Sequence, residues 1–189
     1  MDRMAIRAAT HDDIDVLARI LVSGLHATYD GLVDPDWLAA KTEDEYRGKW
    51  REWLDSDGFS ALVSCLPDGS PVGVVSFGKL KTPPPGVSLI RPLYTAEIYA
   101  IYILPDHWRQ GHGLALMQAA TQALLDMKHK SMCLWALEAN KRAGAFYTTL
   151  GGQRIGKREI EAGSRKAREV CFGWRDTKPI LAMKKQDSA

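Results

Sequence analysis

The 189-residue chain is poor in several things, and each shortage narrows what it can be. Its three cysteines, Cys65, Cys133 and Cys171, lie far apart in apolar segments, with no CxxC pair and no histidine at metal-ligand spacing nearby. That pattern argues against a zinc site or a disulfide framework and for reduced thiols buried in strands. Long hydrophobic runs are missing too. The longest, residues 98–104, falls far short of the ~20 residues of a membrane span. The amino terminus, Met-Asp-Arg-Met-Ala-Ile-Arg, has no apolar secretion segment, so cytoplasmic residence without membrane contact is expected. No sign of charge dominates: 25 Lys+Arg stand against 23 Asp+Glu, a net +2, and no basic run exceeds two residues. A nucleic-acid partner would need a concentrated basic face, and none is expected.

What is present suits one soluble domain spanning residues 1–189, with 46% hydrophobic and 25% charged residues. A fold of this size removes roughly two-thirds of the unfolded chain's surface from water, enough for a core without staples. Thr10-His-Asp-Asp13 reads as a capped helix start, followed by Ile14, Leu17, Leu21 and Leu25 at helical spacing. Asp34-Pro35 opens a second helical region carrying Trp37, Leu38, Tyr46, Trp50 and Trp53. Residues 59–65 and 71–80, joined by Pro-Asp-Gly at 67–69, form an expected hairpin. A stiff surface loop, Thr-Pro-Pro-Pro-Gly at 82–86, comes next. A long strand is expected over 94–104, a helix from Gly111, a strand over 131–137, and a helix from Asn140 to Leu150 stopped by Gly151-Gly152. Two last strands are expected over 154–160 and 170–174, with no internal repeat and no linker long enough to part domains. The order ααβββαβαββ argues a mixed α/β (α+β) sheet with helices on its faces.

The chemistry concentrates in residues 97–117, a strand, a tight loop and a helix. Gly111 and Gly113 permit close backbone approach, and the amides from Arg109 to Leu114 open a helix without intrahelical acceptors, so they can cradle a phosphate. Arg109 adds positive charge. The loop lacks both the Gly-Lys-Ser/Thr end of a nucleotide P-loop and the third glycine of a dinucleotide fingerprint. Two glycines before a helix are also ordinary turn chemistry.

The loop Trp108-Arg-Gln-Gly-His-Gly113 resembles the Arg/Gln-x-x-Gly-x-Gly/Ala signature of the GNAT acetyl-CoA-dependent N-acetyltransferases. The preceding Glu-Ile-Tyr-Ala-Ile-Tyr-Ile-Leu-Pro at 97–105 is similar to that family's fourth strand. Asn140-Lys-Arg-Ala-Gly-Ala-Phe-Tyr-Thr-Thr-Leu-Gly151 resembles its Asn-x-x-Ala-x-x-Phe-Tyr-x-x-Leu-Gly helix. Trp108 stands where the family usually has Arg or Gln, and Gly152 where an aromatic is common. The resemblance covers residues 5 to about 175, leaving a short polar tail. It implies the GNAT acyl-CoA N-acyltransferase fold: a mixed, mostly antiparallel seven-stranded sheet splayed between strands four and five, with helices on both faces. It also implies acetyl-CoA as cosubstrate, no metal, and transfer to a primary amine of a small molecule by direct attack in a ternary complex.

Carried over residue by residue, the resemblance assigns acetyl-CoA contacts to the backbone of Ile101, Tyr102 and Ile103, to the loop residues Arg109, Gln110, Gly111, His112, Gly113 and Leu114, and to Asn140 and Tyr147. A pre-placed amide near Ile101 would stabilise the thioester oxyanion by about 3 kcal/mol. Glu97 becomes the general base and Tyr147 the general acid. For Glu97 a solvated or paired strand-start carboxylate remains the other reading, for Tyr147 an amphipathic core tyrosine beside Phe146, and for Asn140 a helix cap. Acceptor contacts fall to Tyr29, Trp37, Glu97 and Tyr99, while Trp50 and Trp53 read as core, with a wall of a pocket for a cationic or aromatic amine as the other reading of this aromatic group. His107 and His112 read as solvated loop histidines, and Cys133 as a buried thiol with no base beside it. A CoA-binding sensor without catalysis, or an enzyme acting on protein lysines or amino termini, fits the same motifs, and a homodimer is compatible with either. Charge by segment suggests steering: residues 1–60 hold 13 acids and 7 bases, residues 61–150 hold 5 and 8, and residues 151–189 hold 5 and 10. The acidic first third, on the acceptor side in the family, is expected to attract a cationic amine.

Overall fold

A computed structural model describes residues 4–85 and 93–184. Gly86 of the proline-rich loop, the first three residues of the amino terminus and the last five of the polar tail lie outside the described residues. The strands are β1 (Ala5–Ala8), β2 (Phe59–Cys65), β3 (Pro71–Lys79), β4 (Ala96–Ile103), β5 (Met132–Leu137), β6 (Gln153–Ala162) and β7 (Arg165–Trp174). They form one seven-stranded sheet in the order β1-β2-β3-β4-β5-β7-β6. All neighbours are antiparallel except β4 and β5. The helices are α1 (Ile14–Tyr29), α2 (Pro35–Ala39), α3 (Glu43–Leu54), α4 (His112–Asp126), α5 (Lys141–Thr149) and α6 (Lys178–Leu181).

Local chemistry explains where these elements begin and end. Asp13 accepts the Thr10 N–H at 2.8 Å and holds the Arg7 guanidinium through two contacts of 2.7 Å, tying β1 to the entry of α1. The helical region opened by Asp34-Pro35 and carrying Trp37 to Trp53 is two helices. Thr42 turns out of the helix and its hydroxyl accepts the Glu45 N–H at 3.3 Å, capping α3 afresh. Asp34 caps α2 by accepting from Asp36 and Trp37, and it also accepts the backbone N–H of Ser164 at 2.8 Å and its hydroxyl. These bonds hold the Asp34 carboxyl down to about 2, the Ser164 hydroxyl contributing most. The β6–β7 hairpin is thereby pinned to α2, and it is longer than expected, turning only at Gly163 with φ +72°.

Side chains sort the sheet into two faces. Val75, Phe77, Ala96, Ile98, Met132, Leu134 and Phe172 pack with Leu116, Met117, Ala120 and Leu124 of α4 and Leu150 after α5. On the other face Leu17, Ile20 and Leu21 of α1 and Trp50 of α3 cover Val63 and Val74. After the sheet, Gln118 of α4 donates to the carbonyls of Ile180 (3.1 Å) and Met183 (2.9 Å), docking α6 and the following residues onto α4. Among the described residues no helix is long and apolar enough to cross a membrane.

Candidate active site

Strands β4 and β5 stay in register only over Ala96, Ile98 and their partners Met132 and Leu134, with Glu97 opposite Cys133. Beyond that they part. On the other side of β4, Ser76 of β3 pairs with Ala100 but Phe77 pairs with Ile98, which leaves Tyr99 as the extra residue of a β-bulge. The bulge bends β4 away from β5 and opens a cleft of about 1560 Å³ that runs from Glu97 to the N-terminus of α4.

The backbone direction along the open edge follows from two bonds. Leu104 donates its N–H to Val72 O at 2.9 Å, across to β3, whereas Ile103 O accepts from Trp108 Nε1 at 2.8 Å. Successive strand residues turn their N–H and C=O to opposite sides, so Ile101 and Ile103 face the gap and Tyr102 faces β3. The expected Tyr102 backbone contact is therefore corrected. Its side chain instead packs on α1, where a Cβ at Gly24 would come within 2.6 Å of the ring.

Past β4 the loop is shaped by two left-handed residues, Arg109 (φ 61°) and Gly111 (φ 98°). Gly111 precedes the first turn of α4, whose free amides and partial positive charge favour an anion. At Gly113 a Cβ would sit 3.3 Å from Phe146 Cζ, so glycine lets α4 and α5 approach. Arg109, Gly111, Gly113 and Leu114 line the cleft. Gln110 and His112 do not. The Gln110 amide donates back to Asp106 O at 2.9 Å, and His112, expected in solvent, is buried with its ring 6.0 Å from that of His107, which does line the cleft.

The opposite wall is α5. Asn140 caps it, its Oδ1 accepting the Ala143 N–H at 3.0 Å, and lines the cleft from that position. The Arg142 guanidinium lies 3.4 Å from the centroid of the Trp108 ring. Burial, and secondarily the nearby Arg109, lower the Arg142 pKa. This bracket was invisible in the sequence, because the partners sit on a loop and a helix 34 positions apart. Lys141 and Lys184 add two more cations to the lining.

Toward the other end, Glu97 is buried and its Oε2 accepts the backbone N–H groups of Lys81 (2.9 Å) and Thr82 (2.7 Å). Tyr99 donates to Lys79 O at 2.6 Å, and its phenol is pushed up to about 12 by burial and then by the Glu97 charge. The walls here are aromatic: Tyr29, Trp53, Phe59, Tyr99 and Trp135. Burial raises the phenols of both Tyr29 and Tyr102, which also line the cleft. Tyr147 of α5 is packed among Phe146, Phe172 and Trp174, with ring centroids 5.5, 5.4 and 6.4 Å away, and it reaches the cleft. Burial raises the Tyr147 phenol well above its ordinary value, so it keeps its proton at neutral pH.

Two expectations are corrected. Trp37 is outside the cleft: it packs with Val33 and Leu38 against the β6–β7 hairpin and carries Lys41 over its ring at 4.5 Å. Trp53 packs on the core beside the fully buried Trp50, as expected, and also lines the cleft. The acidic first third does not face the site either. Asp13 is paired with Arg7, Asp15, Glu43 and Asp44 with Arg47, and Glu45 with Lys49, while the cleft residues from this part of the chain are Thr28, Tyr29, Trp53 and Phe59, all uncharged. The charged side chains of the lining, His107 aside, are Lys81, Arg109, Lys141, Arg142, Arg158 and Lys184 against Glu97 and Glu169. Cys133 is fully buried, and its thiol is raised first by a hydrogen bond with Cys171 and then by burial. Among the described residues no cluster of three or more His, Cys, Asp or Glu side chains could hold a metal ion.

Comparison with known proteins places this geometry. The sequence model described as Acetyltransferase (GNAT) family matches residues 27–151. An uncharacterized N-acetyltransferase, YuaI, of Bacillus subtilis (strain 168) is 30% identical over 180 residues, 95% of this chain and 98% of that protein. Among solved structures, the PaiA N-acetyltransferase of Thermoplasma acidophilum in complex with coenzyme A superposes with a TM-score of 0.67 at 14% identity, covering 90% of this chain and 98% of that one. A mutant form of the spermidine/spermine N-acetyltransferase SpeG of Vibrio cholerae gives 0.67 at 13% identity, over 96% and 98% of the two chains. At such identities the structures establish the shared fold.

Proposed function

Since the chain belongs to the acetyltransferase (GNAT) family, we propose that it works as a single catalytic domain transferring acetyl from acetyl-CoA to a primary amine of a small molecule, by direct attack in a ternary complex. One observation carries this reading: a single cleft joins an anion-binding helix start, an unpaired strand edge, a buried carboxylate and a protonated tyrosine. The residues present fit acetyl-CoA. The amides opening α4, with Arg109, Lys141, Arg142 and Lys184, offer an electropositive seat for its phosphates, and the gap-facing backbone of Ile101 and Ile103 offers hydrogen bonds to a pantetheine amide. When bound, acetyl-CoA supplies an activated thioester.

The chain's own groups then have separate tasks. An ammonium has no lone pair, so the acceptor must lose a proton before its nitrogen can bond to the acetyl carbon. Glu97 takes that proton, directly or through a water, with Oε2 anchored by two amides and the carboxylate held in place. Tyr147, kept protonated by burial, gives its proton to the sulfur as the C–S bond breaks. A gap-facing amide at Ile101 is placed to stabilise charge building on the carbonyl oxygen.

Thiol release from acetyl-CoA over a panel of amines, with cofactor binding followed by calorimetry, tests the proposal. Turnover with at least one small amine is expected. Glu97→Gln should lower the rate by ~10²-fold or more, with the defect shrinking as pH rises toward the amine's own pKa, and Tyr147→Phe should lower kcat with little change in the KM for acetyl-CoA. Tight acetyl-CoA binding without turnover on any amine would reject the transferase reading. Wild-type rates in both variants would remove these two roles from it.

A further inference from the structure

We infer that the acceptor is an amine that carries its own anion, an α-amino acid with an apolar or aromatic side chain, and that Lys81 selects it by receiving the carboxylate. This rests on the transferase reading above. The end of the cleft remote from the phosphate seat holds a cation beside the base. The backbone N–H of Lys81 holds Glu97 Oε2, while its ammonium lies 4.2 Å from the Tyr99 ring centroid and 5.7 Å from that of Phe59. Those two rings are stacked, with centroids 5.8 Å apart and planes at 11°, and the Tyr99 hydroxyl is tethered to Lys79 O, so the ammonium rests on a fixed platform. Among the described residues no carboxylate is within ion-pair distance of it.

Negative charge at this end is already committed. Glu169 is paired with Arg158 at 2.6 Å, and the Arg158 guanidinium lies 4.3 Å from the Trp135 ring centroid. Glu97 gives Oε2 to two backbone donors, and among the described residues nothing bonds Oε1, which is left for the reacting amine. A diamine or polyamine would therefore bring its second ammonium toward Lys81 and find no carboxylate to receive it, which is repulsive selection as well as lost attraction. A carboxylate one carbon from the reacting nitrogen meets the opposite situation. It can form a charge-assisted hydrogen bond with Lys81 while its nitrogen faces Glu97. The walls at Trp53 and Phe59 then receive an apolar or aromatic side chain.

Matched acceptors differing only in the anion isolate this inference. With the full chain and saturating acetyl-CoA, L-phenylalanine is expected to exceed both phenethylamine and L-phenylalaninamide in kcat/KM by ~10-fold, with spermidine poorest. Lys81→Met, which keeps length and apolar contact, should bring the phenylalanine-to-phenethylamine ratio toward one, mainly through the KM for phenylalanine. Lys81→Glu should invert it. Because the readout is a ratio within one preparation, partial loss of folded enzyme does not mimic the effect. Preference for phenethylamine or spermidine over phenylalanine in the wild type, or an unchanged ratio in Lys81→Met, overturns the inference while leaving the transferase reading standing. Absence of thiol release with every acceptor would instead overturn the reading beneath it.

Discussion

The Trp108–Arg142 bracket gives the most quantitative handle on cofactor binding. Two interactions meet at Trp108: an indole N–H donated to Ile103 O at 2.8 Å and a guanidinium stacked 3.4 Å from the ring centroid. The first is worth about 1 kcal/mol net, and the second about 1–2 kcal/mol for a partly desolvated cation. Together they hold Arg142 against the cleft wall despite its proximity to Arg109. Trp108→Ala removes both, roughly 2–3 kcal/mol, which at 1.4 kcal/mol per decade corresponds to an about 30- to 140-fold weaker Kd for acetyl-CoA when the whole effect reaches the ligand. Trp108→Phe keeps a ring face under Arg142 and loses only the hydrogen bond, about fivefold. The assay is titration calorimetry of acetyl-CoA, which does not depend on turnover, alongside thermal melting to confirm folding. Combining Trp108→Ala with Arg142→Ala should weaken binding little beyond the worse single variant, because residues that act as one unit are not additive. A Trp108→Ala effect below twofold, or an additive double variant, would refute the bracket as a cofactor-binding device.

Two other outcomes follow from packing and titration. Trp50 is fully buried, with the rings of Trp53 and Phe59 at 5.3 and 6.1 Å, so Trp50→Ala should cost about 3–5 kcal/mol in urea unfolding. Trp50→Phe should cost much less, since the indole nitrogen has no hydrogen-bond partner among the described residues; equal losses would contradict this. The depressed Asp34 carboxyl favours the folded state when ionised, so its contribution is complete above the ordinary pKa of about 4. That contribution disappears as pH falls through about 2. The difference in denaturant midpoint between wild type and Asp34→Asn should accordingly shrink between pH 4 and pH 2, and a pH-independent difference would contradict the assignment.

Much of this molecule could be read from local signals, and the failures share a cause. The capped start of α1, the glycine before α4 and the Asn140 cap of α5 are short-range chemistry and lie where the sequence puts them. Glu97, Tyr147, Arg109, Tyr29 and Tyr99 all line the cleft. What escaped depends on distant partners. β1 has four residues, too few for a periodic signal, and is a strand because it pairs with β2. The outer stretch of the β6–β7 hairpin carries cross-strand pairs such as Glu161 with Lys166, whose charges hide its strand character. Trp37 shares the aromatic character of cleft residues but is held by the hairpin that Asp34 anchors. The acidic first third counts as a field only in a sum over sequence; in space Asp13, Asp15, Glu43, Asp44 and Glu45 sit beside arginine or lysine, and among the described residues no carboxylate from this part of the chain lines the cleft.

The extra residue at Tyr99 changes the parity of β4. Before it, the even-numbered residues Ala96 and Ile98 face α4; after it, the odd-numbered Ile101 and Ile103 do. Glu97 and Tyr102, which an unbroken alternation would send to opposite sides, consequently share the face away from α4. In an uninterrupted strand, burying Ile98 would bury Tyr102 with it and turn Ile101 and Ile103 toward α1. A chain with the same composition and the same motifs, but one residue fewer between Glu97 and Ile101, would keep its loop and lose the relation between the loop and the carboxylate.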